Sequence, residues 1–324
     1  MDKLQYIKEP IANEFEFFKQ KFETSVQSSN PLLSEVLSYI RQRRGKMMRP
    51  ILTLLIAKLL GTVNDSTYHA AIALELLHTA SLVHDDVVDE SDKRRGQSSV
   101  NALYGNKVSV LVGDYLLAAS LKHSALTGLL SAVELVSGLG QDLSEGEIIQ
   151  LTNTNATDFS EAVYFDVIKK KTAALFASSA AVGALSVHSN EEEIQKARLF
   201  GELVGIAFQI KDDLFDYADS DAIGKPTGND MKEGKLTLPA LYVLNHTDDA
   251  AMKELALKIR SLQASENDIE CFISFVKQHG GLEYASQVMH DYRNQALSLY
   301  PSAGSEAILH SLASYIDYVI DRDK

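Results

Sequence analysis

Basic residues are few beside acidic ones: 31 Lys and Arg stand against 44 Asp and Glu, a net charge of −13. Nucleic acid is therefore a poor partner, because a phosphate backbone needs a basic face. An anionic substrate is equally ill matched, unless metal ions or local cations invert the field. Cysteine is nearly absent. The single Cys271 leaves no disulfide framework and no Cys-rich zinc site. Only 6 prolines occur, no Pro/Gly/Ser-rich linker divides the chain, and no repeat runs at a fixed period. Strictly alternating β-branched runs are also missing. The opening MDKLQYIKEPIANEFEFF has acids throughout and no signal-type apolar run, which points to a soluble, cytoplasmic protein. The stretch TAALFASSAAVGALSVHSN, 172–190, carries no Asp, Glu, Lys or Arg and approaches the length of a membrane span. It is rich in Ala, Ser and Gly, however, and its hydropathy suits a tightly packed internal helix instead.

What is present is helix. The chain is 45% hydrophobic, enough for a large core. Its 324 residues suggest two domains by length, but without a linker the reading is one domain over 1–324. Apolar residues recur at three and four over 32–40, 51–60, 68–89, 99–124, 128–151, 160–186, 191–217, 237–245, 250–262, 266–278, 282–298 and 303–322. Gly61, Gly140, Gly224 and Gly280 are placed as stops. Segments 70–89 and 201–217 are apolar on most faces, as helices at the centre of a bundle are. The last helices are more polar and are expected at the periphery.

Both central helices end in acids. HTASLVHDDVVDE, 78–90, contains Asp85, Asp86 and Asp89; KDDLFDY contains Asp212, Asp213 and Asp216 at the same D-D-x-x-D spacing. Residues four apart share a helix face, so Asp85 points with Asp89, and Asp212 with Asp216. Like charges at a helix C-terminus oppose the macrodipole, and burial adds to the cost. Hard divalent cations with oxygen ligands offset this, and Mg²⁺ shares its shell with water and substrate phosphates. A solvated helix end accounts for one such run but poorly for a matched pair. Calcium is disfavoured because no D-x-D-x-D-G loop occurs. Three acids per cluster also exceed the need of a two-carboxylate glycosidase.

Cations surround these acids. RRGKMMRP, 43–50, offers Lys46 and Arg49; DKRRGQ, 92–97, offers Arg94 and Arg95. KKKT, 169–172, brings Lys170, Lys171 and Thr172; IGKPTGND, 223–230, brings Lys225, and EGKLTLP brings Lys235. Arg forks match phosphate oxygens and Lys supplies a point charge, so together they suggest a diphosphate cage completed by metal. Singly, each reads as a surface charge. His78 lies two helical turns before Asp85 on the same side; alone it reads as a core histidine. His84 adjoins Asp85 but faces elsewhere and reads as structural. Gln209 lies one turn back from Asp213, able to bond a metal-bound water or simply to pack.

These motifs, from GKMMRP through ELLHTASLVHDDVVDESDKRRGQ, VLVGDYLL, KKKTAALF and FQIKDDLFDY to GKPTGNDMKEGKLTLPAL, resemble the trans-isoprenyl diphosphate synthases, the polyprenyl synthetase family. The likeness covers most of the chain and is greatest to long-chain members such as the octaprenyl diphosphate synthases. It implies an all-α bundle of long helices around a deep central cavity, usually a homodimer, with the two acidic motifs facing across the cavity mouth. It implies about three Mg²⁺ ions, held by Asp85, Asp89, Asp212 and Asp216, and isopentenyl and allylic diphosphates as substrates. Arg94, Lys171, Thr172, Gln209, Lys225 and Lys235 then contact the allylic diphosphate; Lys46, Arg49, His78 and Arg95 hold isopentenyl diphosphate. Asp85, Asp89, Lys171 and Lys225 carry the chemistry.

In short-chain members a bulky aromatic just before the first motif acts as a floor. Here Ala80 and Ser81 stand there, so a long product, about C30 to C45, is expected from a helix of 1.5 Å per residue. The alternative is a C15 or C20 synthase whose floor comes from another helix, with Tyr115, Leu116, Ala119 and His123 as candidates. A terpene cyclase, a head-to-head synthase and a non-catalytic helical subunit are disfavoured by the two intact acidic motifs with GKMMRP and KLTLP.

Overall fold

Apolar residues at helical spacing give helices along the whole chain, and the fold is all-α. The computed structural model describes residues 3–42, 45–94, 96–153, 158–217, 228–300 and 305–322. Chain contacts group into two units, each assembled from three stretches. One comprises Met1–Gln141, Leu175–Gly201 and Tyr300–Ser314; the other comprises Asp142–Ala174, Glu202–Leu299 and Tyr315–Lys324.

The first unit begins with α1 (Lys3–Lys8), α2 (Ala12–Ser25), α3 (Pro31–Gln42), α4 (Met48–Leu60) and α5 (Asp65–Val88). A short hairpin follows, β1 (Lys93–Arg94) paired antiparallel with β2 (Gln97–Ser98), then α6 (Val100–Tyr104) and α7 (Asn106–Leu126). Sequence periodicity overlooked α1 and α2, because acids and lysines interleave the phenylalanines. Phe15, Phe18 and Phe22 are nonetheless spaced to bury one face of α2. It also ran 99–124 as one helix; Gly105, at φ 80°, breaks it.

α4 is enclosed on every side, with Ile51, Leu52, Leu54, Leu55, Ile56 and Ala57 fully buried. Against it lies α10 (Ala174–Ser186), the Ala/Ser-rich segment, buried along almost its whole length. Small residues permit this approach: a Cβ at Gly183 would stand 2.6 Å from the Thr53 carbonyl oxygen, and Thr53 Oγ1 donates to the Ser179 carbonyl at 2.9 Å. Among the described residues no helix is long and apolar enough to cross a membrane.

α5 and α7 pack antiparallel in a fixed register. Ser66 bonds Thr127, His69 meets His123, Ser120 bonds Ala73, and His84 Nε2 lies 3.2 Å from the Val110 carbonyl oxygen. That register sets the buried Ala80 level with Gly113. A Cβ at Gly113 would come within 2.1 Å of His84 Nε2, so the missing side chain makes room for the His84 ring of α5.

The second unit holds α9 (Glu161–Ile168), a π-turn at Lys169–Ala173, α12 (Asn229–Lys232), α13 (Leu238–Asn245), α14 (Ala250–Arg260), α15 (Glu266–Gln278) and α16 (Gly281–Ser298). α8 (Leu130–Asn153), α11 (Glu191–Phe215) and α17 (Glu306–Ile320) complete the helices introduced here. The polar C-terminal helices prove to be core-forming. Leu255, Ala256 and Ile259 of α14 and Ile269, Phe272, Ile273 and Val276 of α15 pool around Tyr217 and Met231. Each contributes one narrow apolar stripe, which is why its sequence reads as polar. Gly61 and Gly280 do end or begin helices, whereas Gly140 lies inside α8 with Leu77 Cδ1 4.0 Å from where its Cβ would be. Gly224 lies outside the described residues.

Candidate functional site

α5 delivers the first acidic motif. Asp85 and Asp86 occupy its last turn and Asp89 its C-cap, where the Asp89 N–H donates to the Asp85 carbonyl at 2.8 Å. Asp86 turns away from the side that Asp85 and Asp89 share, since each step along a helix turns the side chain by about 100°. Asp85 is half-buried and Asp89 exposed. Asp86 is only 3% exposed and accepts from Arg94 Nε at 2.6 Å. Arg94 reaches it from β1, whose pairing with β2 turns the chain back toward the helix end. The Asp86 carbonyl takes further donors, from the Ser91 N–H at 2.9 Å and Asn101 Nδ2 at 3.1 Å.

A cavity of about 110 Å³ lies beside this turn, lined by Gly45, His78, Asp86 and Arg94 at its polar part and by Phe22, Leu37, Ile40 and Leu116 among its apolar walls. Leu116 was one of the alternative floor candidates. Ala80 and Ser81 are not among the lining residues: Ala80 is level with Gly113, and Ser81 Oγ donates to the His78 carbonyl at 2.9 Å. Lys46 is exposed just before α4. Arg49, in the first turn of α4, lies over the Phe176 ring at 4.9 Å. His84 packs between Gly113, Val110 and Asp114. Arg95 lies outside the described residues.

α11 delivers the second motif. Asp213, again the middle acid, is 3% exposed. It accepts from Tyr164 Oη at 2.5 Å and Gln209 Nε2 at 2.8 Å, while Thr172 Oγ1 donates to Gln209 Oε1 at 2.7 Å. Burial pushes the Asp213 carboxyl up to about 7; the hydrogen bonds from Tyr164 and Gln209 oppose this, and Asp212 and Asp216 add to it. Asp216 accepts backbone N–H bonds from Asn229 at 2.7 Å and Asp230 at 3.1 Å, which cap α12. Burial raises the carboxyls of Asp216 and Asp230 as well.

The expected cations of this unit are held by partners that sequence reasoning missed. Lys171 pairs with Glu147 and donates to Gln150 Oε1 at 3.1 Å, both on α8. Lys170 reaches Glu145 at 3.3 Å and Asp166 at 3.6 Å. Lys235 Nζ donates to Glu233 Oε2 at 2.5 Å. Asp212 pairs with Arg322 Nη2 at 2.7 Å, and Arg322 stacks on Phe208 at 3.8 Å. The i,i+3 spacing on α8 that sets Glu147 beside Gln150 was the available signal. Nothing local to Arg322 announces its role. Lys225 lies outside the described residues.

The donor set suits a hard divalent cation: carboxylate oxygens, two per motif on the more open positions. Among the described residues no three His, Cys, Asp or Glu converge to cage a metal. An ion taking one or two carboxylates, with phosphate and water oxygens for the rest, needs no such cage.

The model of the polyprenyl synthetase family matches residues 30–276. Octaprenyl diphosphate synthase of Haemophilus influenzae is 33% identical over 317 residues, 97% of this chain and 95% of that protein. Geranylgeranyl pyrophosphate synthase from Bacteroides thetaiotaomicron superposes with a TM-score of 0.88 at 51% identity, covering 99% of this chain and 100% of that one. A decaprenyl diphosphate synthase from Rhodobacter capsulatus gives 0.92 at 33% identity, covering 99% of each.

Proposed function

Because the chain belongs to the polyprenyl synthetase family and is a prenyltransferase, we propose that it joins isopentenyl diphosphate head to tail with an allylic diphosphate, with Mg²⁺, as one catalytic domain. One observation carries this reading. In both D-D-x-x-D motifs the middle acid is sealed inside and bonded, Asp86 to Arg94 and Asp213 to Tyr164 and Gln209, while the flanking pair stays more open. Asp85 with Asp89, and Asp212 with Asp216, would hold the metal; when bound, it supplies Lewis-acid stabilisation of the diphosphate leaving group.

The chain's own groups do the rest. Arg94, Lys171, Gln209, Thr172, Lys225 and Lys235 bind and orient the allylic diphosphate, and Lys46, Arg49, His78 and Arg95 orient isopentenyl diphosphate. Fixed cations favour charge developing on the departing diphosphate. The allylic C–O bond breaks with its electron pair leaving on oxygen. The isopentenyl double bond then attacks the allylic carbon, and the released diphosphate takes the proton lost. No side-chain nucleophile is required.

We read the product as long, about C30 or more. α5 carries no Phe, Tyr or Trp between Tyr68 and Asp85, a span of about 25 Å at 1.5 Å per residue. A C20 product is the second reading, favoured by the 51% identical geranylgeranyl synthase. The protein acts as a homodimer: Val110, Leu111 and Leu121 are exposed apolar residues on α7 that suit a second copy. A free Cys271 fits a reducing, cytoplasmic setting. The test incubates protein, Mg²⁺, labelled isopentenyl diphosphate and farnesyl diphosphate, and sizes the dephosphorylated chains. A ladder ending at C30 or beyond supports the long-chain reading. A stop at C20 supports the second, and no incorporation with any allylic primer refutes both.

A further inference from the structure

The hydrogen bonds around Asp213 have a readable direction. Tyr164 Oη and Gln209 Nε2 donate to opposite oxygens of the Asp213 carboxylate, and Thr172 Oγ1 donates to Gln209 Oε1. All four residues belong to one unit. Tyr164 and Asp213 are buried; Gln209 and Thr172 are half-buried. The carboxylate is held from both sides and cannot turn without losing a donor. The Gln209 amide is thereby fixed, nitrogen toward Asp213 and oxygen toward Thr172. Each side chain in the row is oriented by the one before it, and the row begins at Tyr164.

Tyr164 lies eight residues before Thr172, in the helix that leads into the π-turn carrying Thr172. Such turns recur at functional sites. The phenol thus ties the start of the segment that carries Thr172 to the helix that carries Gln209. It also sets polarity: Thr172 spends its proton on Gln209 and faces outward as an acceptor, and the second N–H of Gln209 Nε2 is directed outward as a donor.

We propose that Tyr164 is a positioning residue of the prenyl-transfer site, acting through Asp213 to orient Gln209 and Thr172 toward the allylic diphosphate; the inference rests on the function proposed above. Tyr164→Phe keeps the ring and removes only the donor. It should lower kcat about tenfold, the effect of one hydrogen bond to a charged acceptor, with KM for isopentenyl diphosphate within about twofold. In a Thr172→Val background the same change should cost less than about twofold, because the end of the row is already cut. Equal losses in both backgrounds, or no loss, would overturn the inference.

A second readout does not depend on turnover. 3-Fluorotyrosine at position 164 in the otherwise unchanged chain should shift its fluorine resonance when Mg²⁺ and inorganic diphosphate are added, and Gln209→Leu should abolish the shift. A resonance that does not move, or that moves equally without the Gln209 amide, would refute the relay even if Tyr164→Phe fails to fold. The two ideas fail differently. Wild-type protein without elongation sinks the functional reading, whereas full activity in Tyr164→Phe sinks only the positioning role.

Discussion

Arg94 Nε sits 2.6 Å from Asp86 Oδ1, and this bond makes the second acid of the first motif a structural tie. Arg94 is one-third exposed while Asp86 is almost sealed, so the carboxylate depends on the guanidinium more than the reverse. The bond also holds the β1–β2 hairpin to the end of α5.

Asp86 and Asp85 should therefore differ on substitution. Asp86→Asn should lower stability by about 2 kcal/mol, the range for a bond between charged groups, and raise KM for the allylic substrate. Asp85→Asn should leave the melting temperature within a few degrees but lower kcat by at least about a hundredfold. Steady-state kinetics beside thermal melts would separate the two; matching profiles would contradict the assignment.

Ala80 and Ser81 should not behave alike. Ala80 is level with Gly113 in the α5–α7 contact, so Ala80→Phe overpacks that interface and should cost about 1–3 kcal/mol. Ser81 is half-buried, so it has more room than Ala80. Ser81→Phe should shorten the product ladder with little loss of stability. Chain sizing beside denaturant melts checks both, and an unchanged ladder in Ser81→Phe would remove Ser81 from length control.

Asp213 predicts an unusual pH dependence. Its folded value of about 7 lies above the unfolded carboxylate, about 3.9. Between these limits the folded chain holds a proton that the unfolded chain releases, so stability falls as pH rises from about 4 to about 7. Asp216 and Asp230 act in the same direction. Calorimetry in EDTA should show the melting temperature dropping from pH 5.5 to 7.5, with a flatter slope in Asp213→Asn. A melting temperature that climbs across that window would count against the buried acid.

Arg322 pairs with Asp212, so a metal taken by Asp212 as proposed would have to compete with it. The acid is 41% exposed, so the ion pair is screened and worth about 1 kcal/mol. Arg322→Met should keep the packing on Phe208 and lower the half-saturating Mg²⁺ concentration about fivefold. A higher Mg²⁺ requirement would instead make Arg322 a brace for the ligand.

Helices were legible from the sequence wherever one broad apolar face was buried, as in α4 and α5. They were lost where acids interrupt the pattern, as in α2, and the C-terminal helices were misplaced because their stripes are narrow. The acidic motifs were legible because their spacing matches the helix turn. Which acid of each turns inward was not, since that depends on Arg94 and Tyr164, partners brought in by a hairpin and by a separate helix. Ala80 shows a further limit: small side chains serve close packing and open space alike, and only its burial in the fold tells which.

The end of α5 is held against its own electrostatics, with Asp85, Asp86 and Asp89 crowded where the helix carriers of partial negative charge already point. Arg94 brings part of the offsetting positive charge; a cation held there as proposed would brace the helix end further. A ligand at a hundred times its dissociation constant adds about 2.7 kcal/mol, enough to change a protein's lifetime in a cell. Withdrawing such a cation would then expose the folded chain to faster loss by unfolding and proteolysis.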